Sequence, residues 1–282
     1  AEIDAFQTEH MSDATGATAK PVALLEQKIM RIRLNGYITQ KPYGKRAQDI
    51  DVALYLSISP QVFLDKISQI VEEVFHRNID QYHSLTFVSF SALRDIFPDR
   101  ERFLVCDIGG EITDLSLIKN NLLAETVSFP KGRMTLMRDV VSSLNRSPEE
   151  VLSVLNLYFE GRHREDALSS KLDAVVEQSR TAWVASFNEA MKELRNRNFL
   201  PNEIEITAHP LMRQWIGPAI SRTTFPFAGG VDGSTQMKVH FIDAPFLRKF
   251  VSFQDAKQFD SFLALEALFA EKMLNLAMKV VQ

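Results

Sequence analysis

The spacing of apolar and polar positions divides the chain into strand-like and helix-like stretches. Lys28-Ile29-Met30-Arg31-Ile32-Arg33-Leu34 alternates with the period of two expected of a half-buried strand. Asn35-Gly36-Tyr37 and Lys41-Pro42-Tyr43-Gly44-Lys45 are turn material, and residues 51–59 alternate again. Pro60 then opens a helix in which Phe63, Leu64, Ile67, Ile70, Val71, Val74 and Phe75 keep helical spacing. Residues 84–90 read as a third strand, which would make residues 28–90 a compact α+β module. Residues 1–20 are polar and aperiodic and read as a tail or linker.

The second half begins with a short helix near residues 91–97. Three strands follow at 103–107, 112–118 and 122–129, the last two joined by the hairpin turn Asn120-Asn121. A helix is predicted over 134–144. Ser147 as N-cap, Pro148 in the first turn and Glu150 completing a capping box open another, which runs to Glu160 and stops at Gly161. Residues 164–198 predict a long helix. Its stripe of Leu168, Leu172, Val175, Val176, Trp183, Phe187, Met191 and Leu194 suits core packing better than a partner surface. A short strand at 203–207, a helix at 212–220, a flexible loop from Gly229 to Ser234, a strand at 238–242 and an amphipathic helix at 260–281 complete the chain. The last helix carries Asp260, Glu266, Glu271, Lys272 and Lys279. It has no basic face of the kind that anionic lipids favour, so a core helix is expected rather than a membrane anchor.

Composition narrows the classes. With 282 residues, 45% of them hydrophobic, the chain can form one large domain or two smaller ones. A mixed charge pattern with a net of −4 gives no footprint for nucleic acid. The single cysteine, Cys106, sits in an apolar stretch, so disulfides are not expected and a reducing, intracellular setting is. The six histidines show no metal-ligand spacing. No apolar run approaches the ~18 residues of a membrane helix, and no signal peptide is visible.

One stretch carries candidate chemistry: Cys106-Asp107-Ile108-Gly109-Gly110-Glu111-Ile112-Thr113-Asp114. It reads as strand, carboxylate, two glycines, strand. Glycine lets backbone amides approach an anion, and successive N–H groups in such a turn form a concavity for phosphate. Asp107 at the strand end is placed to hold a hydrated Mg²⁺ beside that phosphate. Gly109 and Gly110 would supply amides, and the Thr113 hydroxyl would reach phosphate or water.

This turn and two further blocks resemble the actin-like ATPase superfamily. Within it the FtsA-type cell-division branch is the nearer match, with the PilM-type pilus-assembly branch as the near alternative. Leu34-Asn35-Gly36-Tyr37, Pro42-Tyr43-Gly44-Lys45-Arg46-Ala47 and the strand at 51–59 resemble the family's inserted strand-helix-strand-strand subdomain. The Asp107–Asp114 stretch resembles its second phosphate loop, and Pro130-Lys131-Gly132-Arg133 the Pro-x-Gly-Gly segment that follows. The resemblance implies an α/β, ribonuclease H-like lobe. It divides the chain into a polar tail (1–23), an inserted α+β subdomain (24–90) and a nucleotide-binding lobe (91–282). It also implies ATP and Mg²⁺ as ligands, with Asp107, Gly109, Gly110, Thr113 and Gly132 contacting them.

The departures are specific. No counterpart of the family's first phosphate hairpin precedes Lys28, so either the chain is the C-terminal part of a longer protein or that hairpin is lost. Glu111 replaces a third glycine, Arg133 replaces a second, and Ala208-His209-Pro210 stands where an adenosine-binding Gly-Gly-Gly is usual. A carboxylate at 111 would repel phosphate unless it turned away or met a cation. The side chains at 208–210 obstruct close backbone approach. The expectation is therefore a scaffold with weak or degenerate ATP binding, at most a slow ATPase, and no catalytic residue to name. Such a protein would sit in the cytoplasm at the inner face of the plasma membrane and touch it only peripherally. Its partners would be division or pilus machinery, FtsZ-like or an inner-membrane pilus protein, or further copies of itself. An active ATPase or sugar kinase of the same fold is the competing class, although no acidic residue stands out as a kinase base.

Overall fold

The computed structural model describes residues 22–162, 167–225, 235–252 and 259–280. The tail at 1–20 and the loop from Gly229 to Ser234 lie outside them. The chain divides into two compact units, Ala1–Phe87 and Val88–Gln282.

In the first unit, β1 (Val22–Leu34), β2 (Tyr37–Ile38) and β3 (Ile50–Pro60) form an antiparallel sheet in the order β2-β1-β3. β1 starts earlier than the alternation from Lys28 suggests, because Val22, Ala23 and Leu24 pair with Pro60, Ser59 and Ile58. Bulges at Leu24/Glu26 and Ile29/Arg31 break that alternation. The turn after β1 uses Asn35 (φ 50°) and Gly36 (φ 82°), and the Asn35 side chain accepts the Gln48 and Asp49 amides at 2.8 and 3.1 Å. Helix α1 (Gln61–Phe75) follows Pro60.

The third strand expected at residues 84–90 is instead the start of helix α2 (Leu85–Ile96). The cause lies in β1. Glu26 is 6% exposed and accepts the Ser84 amide (2.9 Å), the Ser84 hydroxyl (2.7 Å) and a bond from His83 Nδ1 (2.9 Å). Ser84 Oγ in turn accepts the Phe87 amide at 3.3 Å, the bond made by a helix N-cap. Ser84 is thereby fixed as a cap and cannot continue a strand ladder.

In the second unit, β4 (Arg102–Ile108), β5 (Thr113–Lys119) and β6 (Leu122–Phe129) are antiparallel neighbours, while β7 (Glu203–Ala208) and β10 (Lys238–Phe241) run parallel to β4. The two-residue strands β8 (Thr224–Phe225) and β9 (Thr235–Gln236) pair only with each other. The five longer strands form one sheet, ordered β10-β7-β4-β5-β6. Asn120 and Asn121 both take positive φ (52° and 60°), as a tight two-residue hairpin turn requires. Helix α3 (Arg133–Leu144) ends at Asn145 in the left-handed region. Helix α4 (Pro148–Phe159) has the Ser147/Glu150 capping box and stops at Gly161 (φ 68°). There the Gly161 and Arg162 amides turn back to Tyr158 and Leu157, closing the last carbonyls.

Helix α5 (Ala167–Arg197) buries Leu172, Val176, Trp183, Phe187, Met191 and Leu194, each no more than 1% exposed, so its stripe is core. Trp183 stacks on Phe187 and meets Phe129 edge-on. Helix α6 (Pro210–Ser221) is the crossover from β7 to β10. A short helix α7 (Ala244–Leu247) and helix α8 (Ser261–Val280) follow. Leu265 and Phe269 of α8 are buried, as a core helix requires. No helix among the described residues is long and apolar enough to cross a membrane.

Candidate functional site

The glycine turn between β4 and β5 folds back onto the start of α3. Gly109 N–H donates to Ile112 O at 2.9 Å, so this amide is used inside the turn. The Gly109 and Gly110 carbonyls accept the Arg133 and Met134 amides at 3.0 and 2.7 Å. The first amides of α3, which an anion would otherwise attract, are thus paired within the chain. The Gly110 and Glu111 amides have no partner among the described residues.

Gly132 passes so close to this turn that a β-carbon on it would lie 2.5 Å from Gly110 O and 2.6 Å from Gly109 O. Thr113 is fully buried. Its hydroxyl donates to Lys131 O (2.7 Å) and accepts from Trp183 Nε1 (3.3 Å), tying the turn to the Pro130-Lys131 segment and to α5. Glu111 turns outward and accepts from Arg138 at 2.7 Å. That contact holds its carboxyl below the usual glutamate range. The carboxylate has met a cation, which removes one of the two objections to phosphate at this turn.

Asp107 is only 5% exposed. It pairs in register with Asp114 on β5 and Thr207 on β7. Burial pushes its carboxyl up to about 7; the Thr207 and Ser89 hydroxyls oppose the rise and Asp114 adds to it. Those hydroxyls lie near enough to act on the carboxyl, yet Asp107 Oδ1, Ser89 Oγ and Thr207 Oγ1 are all buried without a hydrogen bond of good geometry.

A cleft of about 650 Å³ opens beside the turn. Its lining includes Ile108, Gly109, Gly110 and Arg133, Ala208-His209-Pro210 and Arg213, and Phe241, Asp243, Pro245, Phe259, Asp260 and Phe262. Asp107 is not among the lining residues. His209 caps α6, with its Nδ1 accepting the Leu211 amide at 3.3 Å. Burial, and then the nearby Arg133 charge, lower its pKa, with Asp260 opposing; the ring is neutral and its Nε2 carries the proton. Asp243 accepts the Phe246 amide at 3.1 Å and pairs with Arg213. Asp260 accepts the Phe262 and Leu263 amides at 2.8 and 3.3 Å, capping α8. The Arg133 guanidinium has no hydrogen bond or ion pair among the described residues, although its charge acts on His209.

Of the five residues expected from the sequence, the structure brings Gly109, Gly110 and Gly132 together as backbone, buries Thr113 behind them, and buries Asp107 beside Ile108 without its lining the cleft. Arg213, Phe241, Asp243, Asp260 and Phe262 were not anticipated as site residues. Asp243-Ala-Pro and Asp260-Ser are helix-start signatures, but nothing in their spacing says that they converge. No group of histidine, cysteine and carboxylate side chains suited to a metal occurs among the described residues.

A five-stranded sheet of three antiparallel and two parallel strands, with a glycine turn after its central strand, is the lobe of an actin-like ATPase, and the chain has that fold. No protein-family model and no curated protein matches the chain. Among solved structures it is similar to the PilM-PilN type IV pilus biogenesis complex, with a TM-score of 0.60 and 13% identity over 94% of this chain and 67% of that one. Two looser similarities are MreB 5 of Spiroplasma citri bound to AMPPNP (TM-score 0.43, 13% identity, 79% of this chain and 68% of that one) and the ethanolamine utilization protein EutJ from Carboxydothermus hydrogenoformans (TM-score 0.37, 16% identity, 83% and 92%). At 13% identity the first of these likenesses establishes the fold alone.

The fold implies ATP and Mg²⁺, and the residues present do not fit that pair. The carboxylate that would hold the hydrated cation lies off the cleft and keeps its proton to about pH 7. The threonine hydroxyl and the helix amides are paired within the chain, and His209 and Pro210 line the cleft in place of glycines.

Proposed function

We propose that this chain is a partner-binding scaffold of actin-like fold, of the PilM pilus-assembly type rather than the FtsA division type, with a nucleotide site that no longer turns over ATP. The observation that carries the loss of turnover is the closure of the glycine turn on α3, with Gly109 N–H bonded to Ile112 and the Arg133 and Met134 amides bonded to Gly109 and Gly110. Support for the pilus-type role comes from similarity along 94% of the chain to a complex in which PilM is bound to PilN. A scaffold of this kind would work at the cytoplasmic membrane face and hold a short segment of an inner-membrane pilus protein.

Two measurements on the purified chain test the reading together. Phosphate release from magnesium-ATP should stay at background. A peptide from the cytoplasmic end of the inner-membrane partner should bind saturably, by calorimetry or fluorescence polarisation. Sustained turnover, or transfer of phosphate to a small acceptor, would show an enzyme instead. Binding of an FtsZ-like tail in preference to the pilus peptide would move the role to division.

A further inference from the structure

The charges around the cleft do not suit a polyanion. Arg213 is neutralised by Asp243, His209 is neutral, and Asp260 adds a negative charge opposite Arg133. The four charged side chains at the wall sum to zero, while a phosphomonoester alone carries about −1.5 to −2 near neutral pH. A triphosphate would meet Asp243 and Asp260 with nothing in surplus to balance it.

Arg133 is the exception within that balance. It occupies the first turn of α3, where the helix dipole favours an anion and disfavours a cation, and its guanidinium has no hydrogen bond or ion pair among the described residues. A guanidinium so placed at the positive end of a helix is suited to a ligand with one negative charge. His209, close enough to feel the Arg133 charge, adds its Nε2–H as a second donor in the cleft. The remaining lining includes the apolar Phe262 and Pro245, and Phe241, whose ring has the Arg213 guanidinium 5.2 Å from its centre.

We infer that the cleft takes a small monoanion on an aromatic or otherwise flat apolar body, paired to Arg133, in place of a magnesium-bound nucleoside triphosphate. This rests on the reading of the cleft as a site without turnover. The ligand would sit with its charge at the mouth of the glycine turn and its body against Phe241 and Phe262.

Calorimetry on the full chain with four probes tests it: 1-naphthoate, cyclic AMP, AMP and magnesium-ATP. The last three share one base; cyclic AMP carries one negative charge, while AMP and magnesium-ATP each carry about two. The expected order is monoanions tighter than either AMP or magnesium-ATP. Arg133→Ala should weaken the monoanions about 10- to 100-fold, the range for a charge-assisted hydrogen bond, and Arg133→Lys should restore part of the loss. Asp260→Asn keeps the helix cap, removes one negative charge, and should narrow the gap between cyclic AMP and ATP. The inference is overturned if magnesium-ATP binds most tightly, if Arg133→Ala binds every probe as the wild type does, or if no monoanion binds. Absence of monoanion binding with ATP turnover also absent sinks this inference alone, whereas turnover sinks the reading beneath it.

Discussion

Gly132 lies against Gly110 so closely that a β-carbon at position 132 would stand 2.5 Å from the Gly110 carbonyl oxygen. The backbone at 132 is extended (φ −142°, ψ −158°), so the requirement for glycine is one of space and not of conformation. Two backbone segments meet there, and neither is a flexible side chain that can give way. Gly132→Ala should therefore cost about 1–3 kcal/mol, the usual range for overpacking, and loosen the bonds from Arg133 and Met134 to the turn. Urea unfolding measures the first effect, and amide exchange at Arg133 and Met134 the second. An alanine variant as stable and as protected as the wild type would show that the turn does not need this approach.

Asp107 should make stability fall as pH rises. Its folded pKa is about 7 against an ordinary 3.8, so below the ordinary value both states hold the proton and no penalty exists. Between about 4 and 7 the unfolded chain releases a proton that the folded chain keeps, and stability declines through that window and then levels off. At roughly 1.4 kcal/mol per unit the whole decline is at most roughly 4 kcal/mol. Asp107→Asn has nothing to titrate and can still donate to Ser89 or Thr207. The difference in unfolding free energy between variant and wild type should favour the variant increasingly from pH 4 to pH 7. A difference that does not change with pH would mean that the carboxyl ionises normally.

Thr113 should behave as an anchor and not as a ligand. Thr113→Val has the same shape but leaves Trp183 Nε1–H and Lys131 O buried without partners, a cost of about 1–3 kcal/mol. Thr113→Ser keeps the hydroxyl and should recover most of that. Neither change should alter the affinity of a ligand in the cleft once stability is accounted for. An affinity that follows the hydroxyl, lost in Val and kept in Ser without a matching loss of stability, would return Thr113 to the binding surface.

Signals confined to a few adjacent residues were legible in the sequence. Asn120-Asn121, Ser147 with Glu150, and Gly161 each act within one turn, and the structure uses all three as read. The apolar runs of β4 and α5 were equally plain, because burial on both faces or along one stripe leaves a periodic mark. Residues 84–90 were not, since a short apolar run serves strand or helix alike. What settles them is Glu26, 58 positions before Ser84, and no local pattern reports a bond over that separation. The candidate site divides in the same way. The glycine turn was visible as a motif, and the outward pairing of Glu111 with Arg138 followed the physical alternative that its charge left open. The cleft was not visible, because Arg213, Asp243 and Asp260 reach it from separate segments. The burial of Asp107 was not legible for a further reason. Whether a carboxylate at a strand end faces a cleft or the core depends on which neighbours cover it, and Ser89 and Thr207 come from elsewhere in the chain.

Glu111 is the departure that looks most damaging to phosphate binding and should matter least. It is 60% exposed and its carboxylate is held outward by Arg138. Glu111→Gly puts a third glycine in the turn and removes an exposed ion pair, so stability should fall by no more than about 1 kcal/mol, mostly from the added freedom of the unfolded chain. It should also fail to produce ATP turnover. The Gly109 amide still bonds to Ile112, the α3 amides still bond to the turn, and Arg133, His209 and Pro210 still line the wall. Phosphate release from magnesium-ATP by Glu111→Gly, beside Glu111→Gly combined with Arg133→Gly, decides the point. Background rates from both place the barrier in the closed turn and the His209-Pro210 wall. A rise with the single change would make Glu111 the block, and a rise only with the pair would assign that role to Arg133.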